Sequence, residues 1–87
     1  MSNIAFTPRG WDDYTYWQTQ DKKTLKRLNA LLEDIVRNKF TGLGKPEPLK
    51  HRDGCWSRRI DDANRIVYQV TSTDDIVVFA CRGHYED

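Results

Sequence analysis

Apolar residues recur at steps of three and four between residues 22 and 38, which is the strongest periodic pattern in the chain. Such spacing predicts an amphipathic helix with one buried face. The apolar positions of this helix are Leu25, Leu28, Leu31, Leu32, Ile35 and Val36. Asp21 lies directly before it and can cap its first amide groups. The opposite face carries the basic residues Lys22, Lys23, Lys26, Arg27 and Arg37.

A shorter helix is predicted before this one. Thr7 can cap it, and Pro8 is tolerated at the first helical position. Aromatic residues follow at spacings of three, at Trp11, Tyr14 and Trp17. This stripe is typical of a helix surface that faces a core. Because only a short break separates the helices, we expect an antiparallel helical hairpin.

Short apolar runs outside the helices predict strands. The first is at residues 4–6, and three more at residues 56–60, 65–70 and 76–81 follow a charged, loop-like segment at 40–54. The last run is almost continuously apolar, which is typical of a central strand. Helices followed by consecutive hairpins predict an α+β domain, with two N-terminal helices packed on one face of a twisted, mostly antiparallel sheet.

Composition indicates one folded domain over residues 1–87. Hydrophobic residues make up 38% and aromatic residues 11% of the chain, which excludes a disordered protein. The net charge of +1, from 14 basic and 13 acidic residues, does not indicate a class of partner. No apolar run approaches the roughly 20 residues of a membrane span, so no membrane partner is expected.

Cysteine usage and the first residues favour a cytoplasmic protein. The chain start lacks the basic and apolar regions of a signal peptide. Cys55 and Cys81 do not form a Cys-x-x-Cys motif, and we expect both to be reduced, with a disulfide between them as the alternative. The sequence lacks a zinc-ligand cluster, a glycine-rich phosphate loop and an acidic cluster suited to magnesium, so no cofactor is expected.

A carboxylate between two prolines is the first candidate for chemistry. Pro46 has a fixed φ, and Pro48 favours an extended conformation for the residue before it. Glu47 is therefore expected to project from a stiff, extended backbone. Taken alone, it is more typical of a solvated loop residue than of a catalytic group.

Strand alternation predicts which side chains share a face of the sheet. The residues expected to face the helices are Ile60, Ile66, Tyr68, Val70, Val77, Phe79 and Cys81. The opposite face would gather Ser57, Arg59, Arg65, Arg82 and His84. The segment with Glu47 and Lys50 leads directly into this sheet.

These side chains suit metal-free cleavage of RNA. A base would remove the proton of a 2′-hydroxyl, which attacks the adjacent phosphorus, while an acid protonates the departing 5′ oxygen. Glu47 could be the base and His84 the acid. The groups that could hold the phosphate or stack on a base are Lys50, Arg59, Arg65 and Tyr85.

Each candidate also has a simpler structural interpretation. Arg58 and Arg59 could protect an edge strand from aggregation, and His84 could be a bystander near the chain end. The basic residues near the start of the second helix could be its solvated side or a surface that binds ribosomal RNA; they are Lys22, Lys23, Lys26 and Arg27. Cys81 and His84 could form a Cys–His pair, although alternation places them on opposite faces.

Several motifs together resemble those of the Txe/YoeB toxins of type II toxin–antitoxin systems, within the RelE superfamily. They occur at residues 11–14 (WDDY) with Trp17, 44–51 (GKPEPLKH), 56–60 (WSRRI), 65–68 (RIVY) and 80–85 (ACRGHY). The resemblance extends over residues 4–85. It implies a microbial-RNase-like fold and an endoribonuclease that cleaves mRNA in the ribosomal A site and so blocks translation.

The resemblance also implies roles and partners. Glu47 matches the general base, His84 the general acid and Arg65 the transition-state stabiliser. The substrate-binding matches are Lys50, Arg59 and the C-terminal aromatic residue Tyr85. Implied partners are a YefM/Phd-like antitoxin, the ribosome with its mRNA, a second copy in a homodimer, and operator DNA in complex with the antitoxin. A non-cleaving ribosome- or RNA-binding inhibitor and an operon corepressor remain alternatives.

Overall fold

The structure, a computed structural model, describes residues 2–83. Its elements are β1 (Ile4–Phe6), α1 (Pro8–Gln20), α2 (Lys22–Arg37), β2 (Glu47–Pro48), β3 (Cys55–Arg59), β4 (Arg65–Val70) and β5 (Ile76–Ala80). Within these residues, five strands form one sheet in the order β1-β5-β4-β3-β2. Neighbouring strands are antiparallel except β1 and β5, which are parallel. The predicted α+β class is confirmed, and β5 is an inner strand as expected.

Both helices begin where their capping residues predict. The Thr7 side chain caps α1, and Pro8 is the first helical residue. Asp21 separates the helices, and its carboxylate accepts hydrogen bonds from the first amides of α2. The Tyr14 hydroxyl donates a 2.7 Å hydrogen bond to Asn29 Oδ1, which ties α1 to α2. Neither helix is long and apolar enough to cross a membrane within the described part of the chain.

The main core fills the space between the helices and one face of the sheet. Its fully buried residues include Leu28, Leu31, Ile35, Ile66, Tyr68, Ile76 and Val78. Trp17 belongs to it, but Trp11 is 51% exposed, so the prediction of a fully core-facing aromatic stripe is wrong at Trp11. The start of α1 lies at the sheet edge formed by β1, where Trp11 packs instead against Phe6 and Tyr14.

Strand β5 faces the helices with a different set of residues from the predicted one. Ile76 and Val78 are fully buried in the main core. Val77 and Phe79 are only partly buried, and Phe79 packs against a smaller cluster on the opposite face. The prediction that Val77 and Phe79 face the helices is therefore wrong.

A β-bulge explains the different facing of β5. Tyr68 pairs with Val78, whereas the preceding residue Val67 pairs with Ala80, so Phe79 is an extra residue in β5. A bulge interrupts the strict alternation of side chains. Ala80 consequently lies in the cluster on the outer face. Cys81 faces the helices, as predicted.

The candidate base lies on a strand that the sequence pattern does not indicate. Glu47 pairs with Ser57, and Pro48 pairs with Trp56, although the pattern predicts a loop throughout residues 40–54. Proline lacks a backbone donor and is tolerated here because β2 is at the edge of the sheet.

Candidate active site

A tightly held loop presents Glu47. Gly44 and Lys45 have φ values of 79° and 53°, a region that favours glycine. The Gly44 carbonyl accepts a 2.7 Å hydrogen bond from the Arg59 amide. A Cβ on Gly44 would lie 2.9 Å from the Arg59 carbonyl oxygen and 2.9 Å from a Leu31 methyl carbon. The approach to Glu47 is thus set by the backbone of β3 and the surface of α2.

Buried Arg58 holds the chain that connects α2 to this loop. Its Nη1 donates to Asp34 Oδ2 at 2.5 Å, and its Nε donates to the Tyr68 hydroxyl at 3.2 Å. Other donors of Arg58 bind the main-chain carbonyls of Asn38, Thr41 and Leu43. The interpretation of Arg58 as a guard of an edge strand is wrong, because β2 covers that side of β3 and Arg58 points into the core.

The charge of Asp34 is maintained by its hydrogen bonds. Burial by itself raises the pKa of Asp34, but bonds from the Leu43 amide, Arg58 and Asn38 lower it below the ordinary value of 3.8. Burial raises the pKa of Tyr68 above 10.0, so its hydroxyl stays protonated and donates to the Lys39 carbonyl at 2.7 Å. Arg58 is therefore held between an ionised carboxylate and a neutral phenol.

Two of the predicted catalytic side chains are in direct contact. Arg65 Nη1 donates to Glu47 Oε1 at 3.0 Å and to Ser57 Oγ at 3.2 Å. The Glu47 side chain is 58% exposed and that of Arg65 16%. Pairing of Arg59 with Arg65, and of Glu47 with Ser57, places all four residues on the outer face of the sheet. A solvent-facing carboxylate and an oriented guanidinium thus share one site, with Ser57 as a contact to which the sequence assigned no role.

The other predicted site residues lie in different parts of the chain. Arg59 is exposed beside Arg65 on the outer face, and Lys50 and His51 are exposed in the turn after β2. His84 and Tyr85 lie outside the described residues, so their roles remain predictions. On α2, the exposed basic residues are Lys22, Lys23 and Lys26, while Arg27 is half-buried.

Arg82 does not join the arginines of the outer face. Its guanidinium carbon lies 3.9 Å from the centre of the Tyr16 ring of α1. The prediction that Arg82 points the same way as Arg59 and Arg65 is wrong, because β5 ends at Ala80 and Arg82 lies in a bend beyond it, where strand alternation no longer applies.

Helix α1 and the start of β4 hold the chain that leads to His84. The Cys81 amide donates to Asp13 Oδ2 at 3.1 Å, and Trp17 Nε1 donates to the Cys81 carbonyl at 2.8 Å. Two residues later, the Gly83 amide donates to Asn64 Oδ1 at 2.8 Å. Sequence reasoning missed Asn64, and its position in a turn directly before Arg65 was the available signal.

Both cysteines are buried. Burial, reinforced by the nearby Asp13 carboxylate, raises the pKa of Cys81 to about 12, so its thiol stays protonated at neutral pH. Cys55 lies in the cluster on the outer face and Cys81 in the main core, and both are free thiols.

Residues 6–85 match the family model of the YoeB-like toxin of bacterial type II toxin–antitoxin systems. The chain is 52% identical to Toxin YoeB of Streptomyces coelicolor and 49% identical to Toxin YoeB of Escherichia coli K12. Each match covers 94% of this chain and 98% of the relative.

Solved structures agree with this relationship. A YoeB dimer from Staphylococcus aureus superimposes with a TM-score of 0.89 at 44% identity, covering 97% of this chain and 98% of that one. The toxin in a heterotetrameric YoeB–YefM complex from the same organism gives 0.87 at 44% identity, with coverage of 98% and 99%. The Escherichia coli DinJ–YafQ complex, at 0.80 and 16% identity over 97% and 94% of the two chains, shows the shared RelE-type fold alone. By the family match and the high identity over nearly its whole length, this chain belongs to the YoeB-like toxins of bacterial type II toxin–antitoxin systems.

Proposed function

We propose that this protein is an endoribonuclease that cleaves mRNA in the ribosomal A site and thereby inhibits translation. The observation that carries the proposal is the contact between Glu47 and Arg65 on the outer face of the sheet. It offers a proton acceptor and an anion-binding group to the same phosphodiester. The exposure of Glu47 leaves this carboxylate accessible to a substrate.

The proposed reaction needs only side chains. Glu47 accepts the proton of a 2′-hydroxyl, whose oxygen forms a bond to the adjacent phosphorus. Arg65 donates hydrogen bonds to the phosphate oxygens as negative charge develops on them. The bond to the 5′ oxygen breaks, His84 protonates that oxygen, and the products are a 2′,3′-cyclic phosphate and a 5′-hydroxyl. Substrate contacts are assigned to Lys50, Arg59 and Tyr85.

Partners are proposed on the same basis. A YefM-like antitoxin and a second copy of the chain are expected, because similar chains occur in structures of a YoeB–YefM complex and a YoeB dimer. Binding to operator DNA is assigned to the complex with antitoxin, since the described residues offer no recognisable DNA-reading element. The proposed place of action is the cytoplasm, where mRNA is translated.

Primer extension on mRNA from an in vitro translation reaction tests the activity. Purified protein should produce cuts at A-site codons, and Glu47→Gln or His84→Gln should reduce the cleavage rate by about 10²–10⁴-fold, the usual contribution of a general base or acid. Glu33→Gln is a matched control, because Glu33 is an exposed carboxylate on α2.

Two results distinguish the proposed nuclease from its alternatives. Stalled translation with intact mRNA would replace the nuclease with a ribosome-binding inhibitor. A gel shift of operator DNA by the purified chain alone would contradict the assignment of DNA binding to the antitoxin complex.

A further inference from the structure

Gly83 is fixed through both of its peptide groups. Its amide donates to Asn64 Oδ1 at 2.8 Å, and its carbonyl accepts from the Arg65 amide at 3.0 Å. Its φ is +94°, and apart from Gly83 and its chain neighbours no described atom lies within 4 Å of the position that a Cβ would take. Glycine has the greatest backbone freedom of any residue. Hydrogen bonding to Asn64 and Arg65 therefore restrains the backbone at a residue that would otherwise be free to adopt many conformations.

Asn64 is itself held in one orientation by Asp61. The Asn64 Nδ2 donates to both carboxylate oxygens of Asp61, at 3.0 and 3.2 Å. The Asn64 backbone amide also donates to Asp61 Oδ1 at 2.8 Å, and its carbonyl accepts from the Ile60 amide at 2.9 Å. Because an amide side chain donates from nitrogen and accepts at oxygen, the Asp61 contact directs Oδ1 towards Gly83.

The pair Asn64–Arg65 thereby links separate parts of the site. The side chain of Arg65 contacts Glu47, the proposed base. The side chain of Asn64 and the main chain of Arg65 hold Gly83, the residue from which the chain continues to His84. This link fixes the position of Gly83, the residue before the proposed acid, relative to Arg65, the proposed phosphate-binding residue.

We propose that Asn64 is a positioning residue for RNA cleavage, acting through Gly83 on the general acid His84. This inference rests on the proposed nuclease function and on the assignment of His84 as the acid. A general acid must lie within hydrogen-bond reach of the oxygen it protonates. Misplacement by about 1 Å can cost about 10²-fold in rate, so loss of one anchor of Gly83 has a measurable effect.

The primary test is Asn64→Ala in the ribosome-programmed cleavage reaction. We expect kcat to fall by about 10–100-fold with little change in KM, because substrate contacts are intact and the acid is misplaced. Solvent exchange of the Gly83 amide, followed by NMR, should accelerate in the same variant. Asp62→Ala, an exposed residue of the same turn, is the control and should behave as the wild type in both measurements.

A paired exchange tests whether the hydrogen-bond geometry is what matters. Asp61→Asn combined with Asn64→Asp keeps the charge, a carboxamide donor within the turn, and an acceptor for the Gly83 amide. It should restore kcat to within a few-fold of wild type. If Asn64→Ala lowers kcat but the paired exchange does not restore it, the cause would be a general loss of turn structure. That result would overturn the proposal.

A double-mutant comparison separates this inference from the proposed function. If Asn64 acts through the acid, Asn64→Ala should add little to the defect of His84→Gln. An equal loss in both backgrounds, or wild-type kcat for Asn64→Ala, would overturn the positioning role while leaving the nuclease intact. Full activity of His84→Gln would overturn the assignment of His84 as the acid, and with it the positioning role. Absence of cleavage by the wild type would instead overturn the proposed function itself.

Discussion

At the scale of single residues, Arg58 connects stability to the geometry of the site. Its side chain is 0% exposed, and taking an unpaired charge out of water costs several kcal/mol. Asp34, the Tyr68 hydroxyl and main-chain carbonyls of residues 38–43 compensate this charge. Those carbonyls belong to the chain that leads to Glu47, so the contacts that satisfy Arg58 also shape the approach to the proposed base.

Asp34→Asn should destabilise the protein by roughly 3 kcal/mol at pH 7, the lower end for breaking a buried ion pair, since Asp34 is 18% exposed. The pKa of Asp34 is lowered in the folded state, so its contribution is fully present above the ordinary value of 3.8 and is lost as pH falls through the folded-state pKa. Urea unfolding should show the difference from wild type shrinking below about pH 4.

Glu33→Gln serves as the control for this measurement, because Glu33 is exposed on the same helix. It should change the free energy of unfolding by less than about 0.5 kcal/mol at pH 7. A deficit of Asp34→Asn that is the same at pH 7 and at about pH 2.5 would show that the ion pair is not its source.

At the scale of elements, the bulge in β5 determines which side chains reach the core. Val77 and Val78 are adjacent and chemically identical, yet Val78 is fully buried and Val77 only partly so. Because Phe79 is an extra residue, Cys81 lies again on the helix side of the sheet, against Asp13 and Trp17 of α1. One irregular position thus sets both the core contacts of β5 and the anchoring of the segment beyond it.

The two valines form a matched pair for testing this arrangement. Val78→Ala should lower the free energy of unfolding by about 2–3 kcal/mol, because apolar burial is reduced and a residual cavity remains. Val77→Ala should cost less than about 1 kcal/mol. Denaturant unfolding measures both values, and equal losses, or a larger loss at Val77, would be incompatible with the observed facing of the strand.

At the scale of the whole molecule, charge is distributed over separate surfaces although the net charge is only +1. The outer face of the sheet carries Arg59 and Arg65 beside Glu47. The basic residues of α2 lie on the helical layer instead, and Lys23 and Arg27 line an open groove of about 410 Å³. The proposed ribosome-dependent nuclease would need one surface for the scissile phosphate and another for ribosomal RNA, and this distribution of charge suits that proposal.

Replacing Lys22, Lys23 and Lys26 together by alanine should weaken ribosome binding and reduce its salt dependence. For every ribosomal phosphate that the variant no longer neutralises, the slope of log K against log salt should fall by about 1. Sedimentation with ribosomes at several salt concentrations measures this slope. Arg37→Ala, an exposed basic residue at the other end of α2, is the control. An unchanged slope in the triple variant would indicate that the three lysines are solvated and do not contact ribosomal RNA.

The sequence determined much of this protein by itself. Local signals placed the helix caps at Thr7 and Asp21, and the spacing of apolar residues defined α2. Alternation along β3 and β4 correctly placed Arg59 and Arg65 on one face. These predictions succeeded because capping, helical periodicity and strand alternation depend on residues close together in the chain.

The tertiary structure decided the features that depend on distant partners. The position of the bulge follows from the pairing of β4 with β5, and the burial of Arg58 from its contacts with a loop and with α2. Pairing with β3 made Glu47 part of an edge strand, and the meeting of Asn64 with Gly83 joins residues 19 positions apart. Periodicity and capping cannot specify such contacts, because they arise only when separate elements pack together.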